Sequence, residues 1–346
     1  SFGESLRTIQ EDLREIAPTF FLGVPRIWEK LHSSIYIKIQ ETGRLRQALF
    51  KWAIRVCSPM ATKPRADWKL KEKCLYGISY WLVLRALQNF IGLRRCSIAL
   101  TGAAPISTGI LEFFRTIGIP LVEVYGQTES TGVATAQPVD DVRLGTVGVP
   151  VSGVEVTLGE HNEIIMRGGS MFKGYYKNDE ATASTLKDGW LHTGDVGEWR
   201  DGQLKIVDRL KDIMITAGGK NLSPTEIENT IKASPYIKEC IVIGEARKYV
   251  SALIQIDFDT VAKWAEQERI AYTTFRSLTE QPQVNDLIQA EVNKGNEQLP
   301  QVAQIKRFHL LTKELDHDDD EVTATMKVRR SNIYEKYTEV IESLYA

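Results

Sequence analysis

Apolar positions early in the chain recur at helical spacing. Ile27, Leu31, Ile35 and Ile39 share one face and predict helix within residues 25–50. Residues 5–16 carry the pattern of an amphipathic helix. Between residues 95 and 129 the texture changes. A short apolar run over residues 96–101 ends in Gly102-Ala103-Ala104-Pro105, and Ser107 then stands as an N-cap before Ile110, Leu111, Phe113 and Phe114. After Gly118 a second apolar run, residues 119–124, ends in Tyr125-Gly126-Gln127-Thr128-Glu129. Strand, helix, strand predicts a right-handed crossover between parallel strands. Both small-residue segments then lie at strand carboxyl ends, where open α/β sheets bind their ligands.

Beyond Gly145 short alternating segments take over. Asp188-Gly189 and Asp201-Gly202 are hairpin signals beside strand-like residues 190–199 and 203–207, so antiparallel β structure is expected there. A smaller unit begins near Asp208. Ser223-Pro224-Thr225-Glu226 reads as a capping box with proline at the first helical position. Residues 239–244 and 251–256 read as strands, 313–322 as an acidic loop, and a last helix starts near Arg330. The expected fold class is α/β plus α+β, in two parts. Residues 1–208 form α/β sheet layers with a small β-barrel-like region, and residues 209–346 form a small α+β domain.

Composition narrows the function classes. With 43% hydrophobic and 25% charged residues, the 346-residue chain matches ordinary soluble globular proteins. A net charge of −2, from 43 basic and 45 acidic side chains, gives no footprint for a nucleic-acid partner. Cys57, Cys74, Cys96 and Cys240 form no C-x-x-C pair; they read as free thiols of a reducing compartment, most of them buried. The five histidines lack metal-ligand spacing. No secretory signal opens the chain and no apolar run is long enough to span a bilayer, so a cytoplasmic location is expected. Residues 74–93 come nearest to a span but are interrupted by Arg85, Gln88 and Asn89. A buried or partly amphipathic helix is the first reading of that segment; peripheral membrane contact is the second, and would suit a lipid substrate.

Six segments occur in an order that resembles the adenylate-forming superfamily of acyl-CoA synthetases, adenylation domains and luciferases. The likeness is greatest to its long-chain fatty acyl-CoA synthetase branch, including the bubblegum-type members. The segments are Gly23-Val24-Pro25-Arg26-Ile27-Trp28-Glu29-Lys30 and residues 101–106, 125–131, 189–195, 208–226 and 325–330. Each alone is weak evidence, but six in order across nearly the whole chain are specific. The family's Ser/Thr/Gly-rich phosphate loop, which ends in a lysine and precedes all of these, has no equivalent here. The expectation is a chain that begins inside the large domain of a longer enzyme.

The resemblance assigns chemistry to particular positions. Gly102, Ala103, Ala104 and Pro105 would bind adenine, since a turn with so little bulk lets a planar base approach the backbone; in isolation such a tetrapeptide is an ordinary turn. Tyr125 would stack on the base, with Gly126 and Gln127 in the same nucleotide-binding string. Thr128 would bond the α-phosphate and Glu129 would hold Mg²⁺, a hard cation suited to carboxylate oxygen. Without that context Thr128-Glu129 reads equally well as a helix start. Asp195 would accept hydrogen bonds from both ribose hydroxyls, with Arg209 in the same ribose and phosphate region. Lys211 matches the hinge between a large and a small mobile domain. Gly218, Gly219 and Lys220 match a loop that lines the pantetheine tunnel, where glycine permits close approach. Lys327, in Thr-Met-Lys rather than the commoner Ser-Gly-Lys, matches a catalytic lysine that bridges carboxylate and α-phosphate as charge builds. Trp28 reads as core rather than acyl pocket.

The reaction so implied is ATP-dependent activation of a long-chain fatty acid to acyl-AMP, followed by transfer to CoA. Its ligands are ATP or AMP, Mg²⁺ and coenzyme A, and its partners are small molecules. Two rivals stand beside it: an adenylating enzyme that loads a carrier protein, and a non-catalytic fragment that only binds nucleotide. The Val-Pro-Arg-Ile-Trp-Glu-Lys and Thr-Met-Lys segments weigh against the first rival. Oligomeric state is not legible in the sequence.

Overall fold

Residues 8–323 and 328–346 are described by a computed structural model, which divides into units Ser1–Lys211 and Asp212–Ala346. The first unit opens with α1 (Ile9–Ile16), β1 (Phe20–Gly23), α2 (Pro25–Gln40) and α3 (Arg44–Cys57). The helical pattern expected over residues 25–50 is therefore two helices, because the backbone is extended at Gly43 (φ −65, ψ 157) before α3. Pro25 starts α2, where its missing N–H has no helical partner to lose. Trp28 is fully buried, edge-on to Phe21 and Phe114 with ring centroids 5.3 and 4.9 Å away. Its indole N–H donates to the Gly23 carbonyl at 3.0 Å, so the ring is buried without an orphan donor.

Residues 70–90 form one helical run: α4 (Leu70–Ser79), a π-helical turn (Tyr80–Leu84) and α5 (Arg85–Phe90). Its inner side, with Ser79, Val83, Leu84, Leu87 and Gln88, is buried. Next come β2 (Ile98–Thr101), α6 (Thr108–Thr116) and β3 (Leu121–Tyr125). β1, β2 and β3 pair in parallel, with Leu22 beside Leu100 and Leu100 beside Val122. The expected strand–helix–strand crossover is present, and α6 buries Ile110, Leu111, Phe113 and Phe114. Ser107 departs from expectation. It occupies the N-cap position, but its hydroxyl makes no capping bond and is buried without a partner.

Short antiparallel strands β4 (Thr135–Ala136) and β5 (Val149–Pro150) complete this sheet. A second, wholly antiparallel sheet follows, built from β6 (Val154–Leu158), β7 (Glu163–Gly168), β8 (Leu186–Lys187), β9 (Trp190–Arg200) and β10 (Gln203–Arg209), with α7 (Asp179–Thr185) before β8. Its order is β10-β9-β7-β6, with β8 also on β9, and this curled half-barrel sheet is the expected barrel-like region. The two Asp-Gly turns join β8 to β9 and β9 to β10. Both residues of each have positive φ (50 and 80; 51 and 86), the geometry that matches strand twist in a tight hairpin. Ile164, Met166, Leu191 and Leu204 form its core with Tyr125.

The second unit begins with β11 (Met214–Ile215) and β12 (Asn221–Leu222), then α8 (Pro224–Ile231), β13 (Ile237–Ile243) and β14 (Val250–Ile256). Ser223 Oγ accepts the Glu226 N–H at 3.1 Å, which caps α8 as its sequence requires. α9 (Phe258–Gln267), α10 (Phe275–Thr279) and α11 (Pro282–Asn296) lead to β15 (Ile305–Leu310), and α12 (Arg330–Lys336) and α13 (Thr338–Ser343) close the chain. β14 is central, antiparallel to β13 and parallel to β15. Alternation along it splits the core: Ala252 and Ile254 face Ile231, Val261 and Ile288, while Leu253 faces Ile333 and Ile341.

All four cysteines are free, but only Cys57 and Cys240 are buried; Cys96 is half-buried and Cys74 is exposed. Most were expected inside, and Cys74 differs because it lies on the outer side of α4. Among the described residues no helix is long and apolar enough to cross a membrane.

Candidate active site

The carboxyl ends of β2 and β3 carry two turns. At Gly102 an added Cβ would lie 2.8 Å from both Val124 Cγ2 and the Val124 carbonyl oxygen, so only glycine lets the turn lie against β3. Ala103 follows in the left-handed region (φ 70), and Ala103, Ala104 and Pro105 are exposed. Backbone groups flanked by methyl-sized side chains are thus presented to solvent.

β3 ends at Tyr125, whose hydroxyl donates to Asp195 Oδ2 at 2.6 Å. The Gln127 amide donates to the same oxygen at 2.8 Å and to the Thr193 carbonyl at 2.9 Å. Arg209, at the end of β10, places Nε 3.6 Å from Asp195 Oδ1 while keeping its guanidinium largely exposed. Asp195 is buried, so its charge needs these donors. Burial, then the neighbouring Asp195 charge, pushes the Tyr125 phenol well above its ordinary range, which makes it a permanent donor.

A brace that sequence reasoning missed holds the backbone around Asp195. Thr193 Oγ1 donates to the Ile164 carbonyl at 2.6 Å and accepts the Asp195 N–H at 3.1 Å. Glu163 accepts the Gly194 N–H at 2.9 Å through Oε1, while its Oε2 lies 2.7 Å from His192 Nδ1. Glu163 carries no local signal, since it is one acid in an alternating strand. Only the pairing of β7 with β9 brings it there.

Glu129 sits in a tight 3₁₀ turn (Thr128–Ser130) that Thr131 closes at φ 60. Its Oε1 accepts the Tyr175 hydroxyl at 2.7 Å, and its carbonyl accepts the Phe172 N–H at 2.7 Å. Tyr175 was also missed, although the aromatic pair after Gly174 was a usable signal. Thr128 is exposed and Glu129 half-buried. A side chain at Gly126 would run into the Gly132 carbonyl, so this turn too needs glycine. Among the described residues no three His, Cys, Asp or Glu converge as a metal site. A single half-buried carboxylate is nonetheless a donor that suits Mg²⁺, which keeps most of its shell in phosphate and water oxygens.

Lys211 is exposed at the end of the first unit. Gly218, Gly219 and Lys220 are exposed in the turn between β11 and β12 of the second unit. There Gly219 has φ 70 and the Lys220 N–H donates to Thr216 Oγ1 at 3.2 Å. Lys327 lies outside the described residues. The structure therefore gathers Tyr125, Gln127, Asp195 and Arg209 into one cluster and pairs Glu129 with Tyr175. It leaves residues 218–220 on the other unit.

A protein of Mycobacterium tuberculosis (strain H37Rv) that carries the provisional name fatty-acid–CoA ligase fadD11 is 39% identical over 349 residues, which are 98% of this chain and 60% of that protein. The long-chain-fatty-acid–CoA ligase ACSBG2 of Gallus gallus is 31% identical over 367 residues, 98% of this chain and 48% of the relative. The chain thus spans about half to three fifths of these relatives. The adenylation domain of the carboxylic acid reductase from Segniliparus rugosus, solved with AMP and a co-purified carboxylic acid, superposes with a TM-score of 0.67. It covers all of this chain and half of that one, and at 22% identity the likeness is one of fold. Residues 3–176 match the AMP-binding enzyme family and residues 211–346 its C-terminal domain, so the chain belongs to the AMP-binding enzymes.

Proposed function

We propose that this chain holds the nucleotide in an AMP-forming fatty acid:CoA ligase. A long-chain fatty acid carboxylate attacks the α-phosphate of ATP, pyrophosphate leaves, and the thiol of CoA then displaces AMP from the acyl-AMP to give acyl-CoA. The carrying observation is the buried Asp195, whose Oδ2 accepts from Tyr125 and Gln127 while its Oδ1 lies 3.6 Å from Arg209 Nε. That arrangement suits a vicinal diol, because the protein's own donors orient the carboxylate and leave acceptor capacity for ribose hydroxyls. The ligase names carried by relatives at 31–39% identity support CoA as acceptor over a carrier protein.

In this reading the backbone of residues 102–105 reads the edge of adenine, and the Tyr125 ring, pinned through its hydroxyl, gives the base a fixed face. Thr128 and Arg209 contribute donors toward the phosphates, and Lys327 joins them as negative charge builds. Glu129, oriented by Tyr175, would hold Mg²⁺, which when bound supplies neutralisation of phosphate charge. Lys211 is the hinge on which the second unit, Asp212–Ala346, turns, and the exposed Gly218-Gly219-Lys220 turn admits the pantetheine arm. Catalysis is positioning and charge neutralisation, with no covalent enzyme intermediate. A cytoplasmic enzyme in peripheral contact with a membrane completes the reading.

Two measurements test it. Calorimetry on the 346-residue chain should detect AMP binding that Asp195→Ala abolishes. A protein that carries this chain within the full length of its relatives should release pyrophosphate only when fatty acid, ATP and Mg²⁺ are all present; no fatty-acid-dependent release would overturn the ligase reading.

A further inference from the structure

The helical run of residues 70–90 is apolar on both sides. Its inner side is spent on the core, with Leu84 fully buried and Val83 and Leu87 nearly so. A helix placed so on a globular protein normally turns charged and polar residues outward. Here the outward stripe is Leu70, Cys74, Ile78, Trp81 and Leu82, spaced four, four, three and one apart. Leu70 is 79% exposed, Trp81 69%, Leu82 59% and Ile78 51%. The stripe from Leu70 to Leu82 is roughly 18 Å long at 1.5 Å per residue.

Its rim is strongly basic. Residues 63–95 carry eight Lys and Arg against two acids, in a chain whose net charge is −2. One of the acids, Glu72, is already engaged by Lys63 at 3.0 Å. Lys69, Lys71 and Lys73 are exposed around the start of the stripe, and the Arg85 guanidinium lies 4.7 Å over the Trp81 ring near its other end. Trp81 thus keeps an amphipathic position, with its ring outward and a cation alongside.

We propose that this face docks the protein on an anionic lipid surface, with Leu70, Ile78, Trp81 and Leu82 entering the acyl boundary and Lys69, Lys71, Lys73 and Arg85 meeting lipid phosphates. Clustered cations beside exposed Trp and Leu are the pattern of an interfacial helix, and the run crosses no bilayer. The inference makes the peripheral contact specific. It is independent of catalysis, because vesicle binding needs neither nucleotide nor acid and so fails separately from the ligase reading.

The test is co-sedimentation of the 346-residue chain with vesicles of phosphatidylcholine alone, or with phosphatidylglycerol as the minority lipid. Binding to the anionic vesicles should exceed binding to the neutral ones and weaken with salt. W81S/L82S should lose about tenfold or more in partitioning. K69Q/K71Q/K73Q should lose about fivefold per lysine on anionic vesicles and little on neutral ones. All the altered positions are exposed, so melting curves should match the parent chain. No sedimentation with anionic vesicles, or binding unchanged in W81S/L82S, would overturn the proposal. So would binding by this chain but not by a protein that carries it within the full length of its relatives, which would mean that another part of that protein covers the face.

Discussion

At the scale of single residues, two buried titratable groups leave a signature in stability. Burial raises the Glu123 carboxyl from its ordinary 4.5 to about 8, because the charged form would be desolvated within β3. Stability linked to it is complete below pH 4.5 and drains as pH rises toward 8, at about 1.4 kcal/mol per unit, because the unfolded chain ionises first. Glu123→Gln removes that drain, so its melting temperature relative to wild type should climb over this range; a constant offset would contradict it. His32 behaves in the opposite sense. Buried beside Tyr36 and Phe113, it is lowered from 6.5 to about 4. Its contribution is full above pH 6.5 and fades as pH falls toward 4, and His32→Gln should flatten that acid arm in a series of melts. At the site, Asp195→Asn preserves shape but removes the charge that Tyr125, Gln127 and Arg209 address. AMP affinity measured by calorimetry should drop by about tenfold or more.

At the scale of elements, the strand ends matter because backbone must pass close to backbone. Gly126 links β3 to the turn bearing Glu129, and any side chain there meets the Gly132 carbonyl. Gly126→Ala should cost about 2 kcal/mol of stability in denaturant titrations and weaken nucleotide binding more than Gly202→Ala does. Gly202 (φ 86) has open space around a Cβ, so alanine there meets only backbone strain. Equal losses of binding would show that the turn after β3 does not position the site.

At the scale of the whole molecule, the two units carry separate cores. Residues 212–346 bury Ile231, Val242, Ile254, Val261 and Ile288 on one face of their sheet, and Ile241, Leu253 and Ile333 on the other. A sheet covered on both faces has what it needs to fold by itself. The isolated segment should therefore melt cooperatively by circular dichroism and bind no AMP, since Tyr125, Gln127 and Asp195 belong to the first unit. A gradual, uncooperative melt would refute independent folding.

Much of this was legible before any coordinates, wherever the controlling interaction is local. Positive φ at both residues of Asp188-Gly189 and Asp201-Gly202 follows from glycine and aspartate tolerating that region beside alternating strands. The cap of α8 follows from Ser223 and Pro224, and the crossover around α6 from two apolar runs separated by one amphipathic stretch. The site strings were visible as small residues at predicted strand ends. Local rules failed at Gly43, which splits one periodic pattern into two helices, and at Ser107, whose hydroxyl turns inward unpaired instead of capping. What the sequence alone determined was the kind of element at each place and the residues able to do chemistry. Tertiary structure decided which of those residues meet. Tyr125 and Gln127 reach Asp195 from the end of β3 in the other sheet, which no spacing along the chain relates to it. Arg209 stands beside it across the β9–β10 hairpin, and the pairing of β7 with β9 sets Glu163 behind its backbone. It also decided that the outer side of residues 70–90 stays apolar in the open, since exposure depends on what packs against a helix as well as on its period.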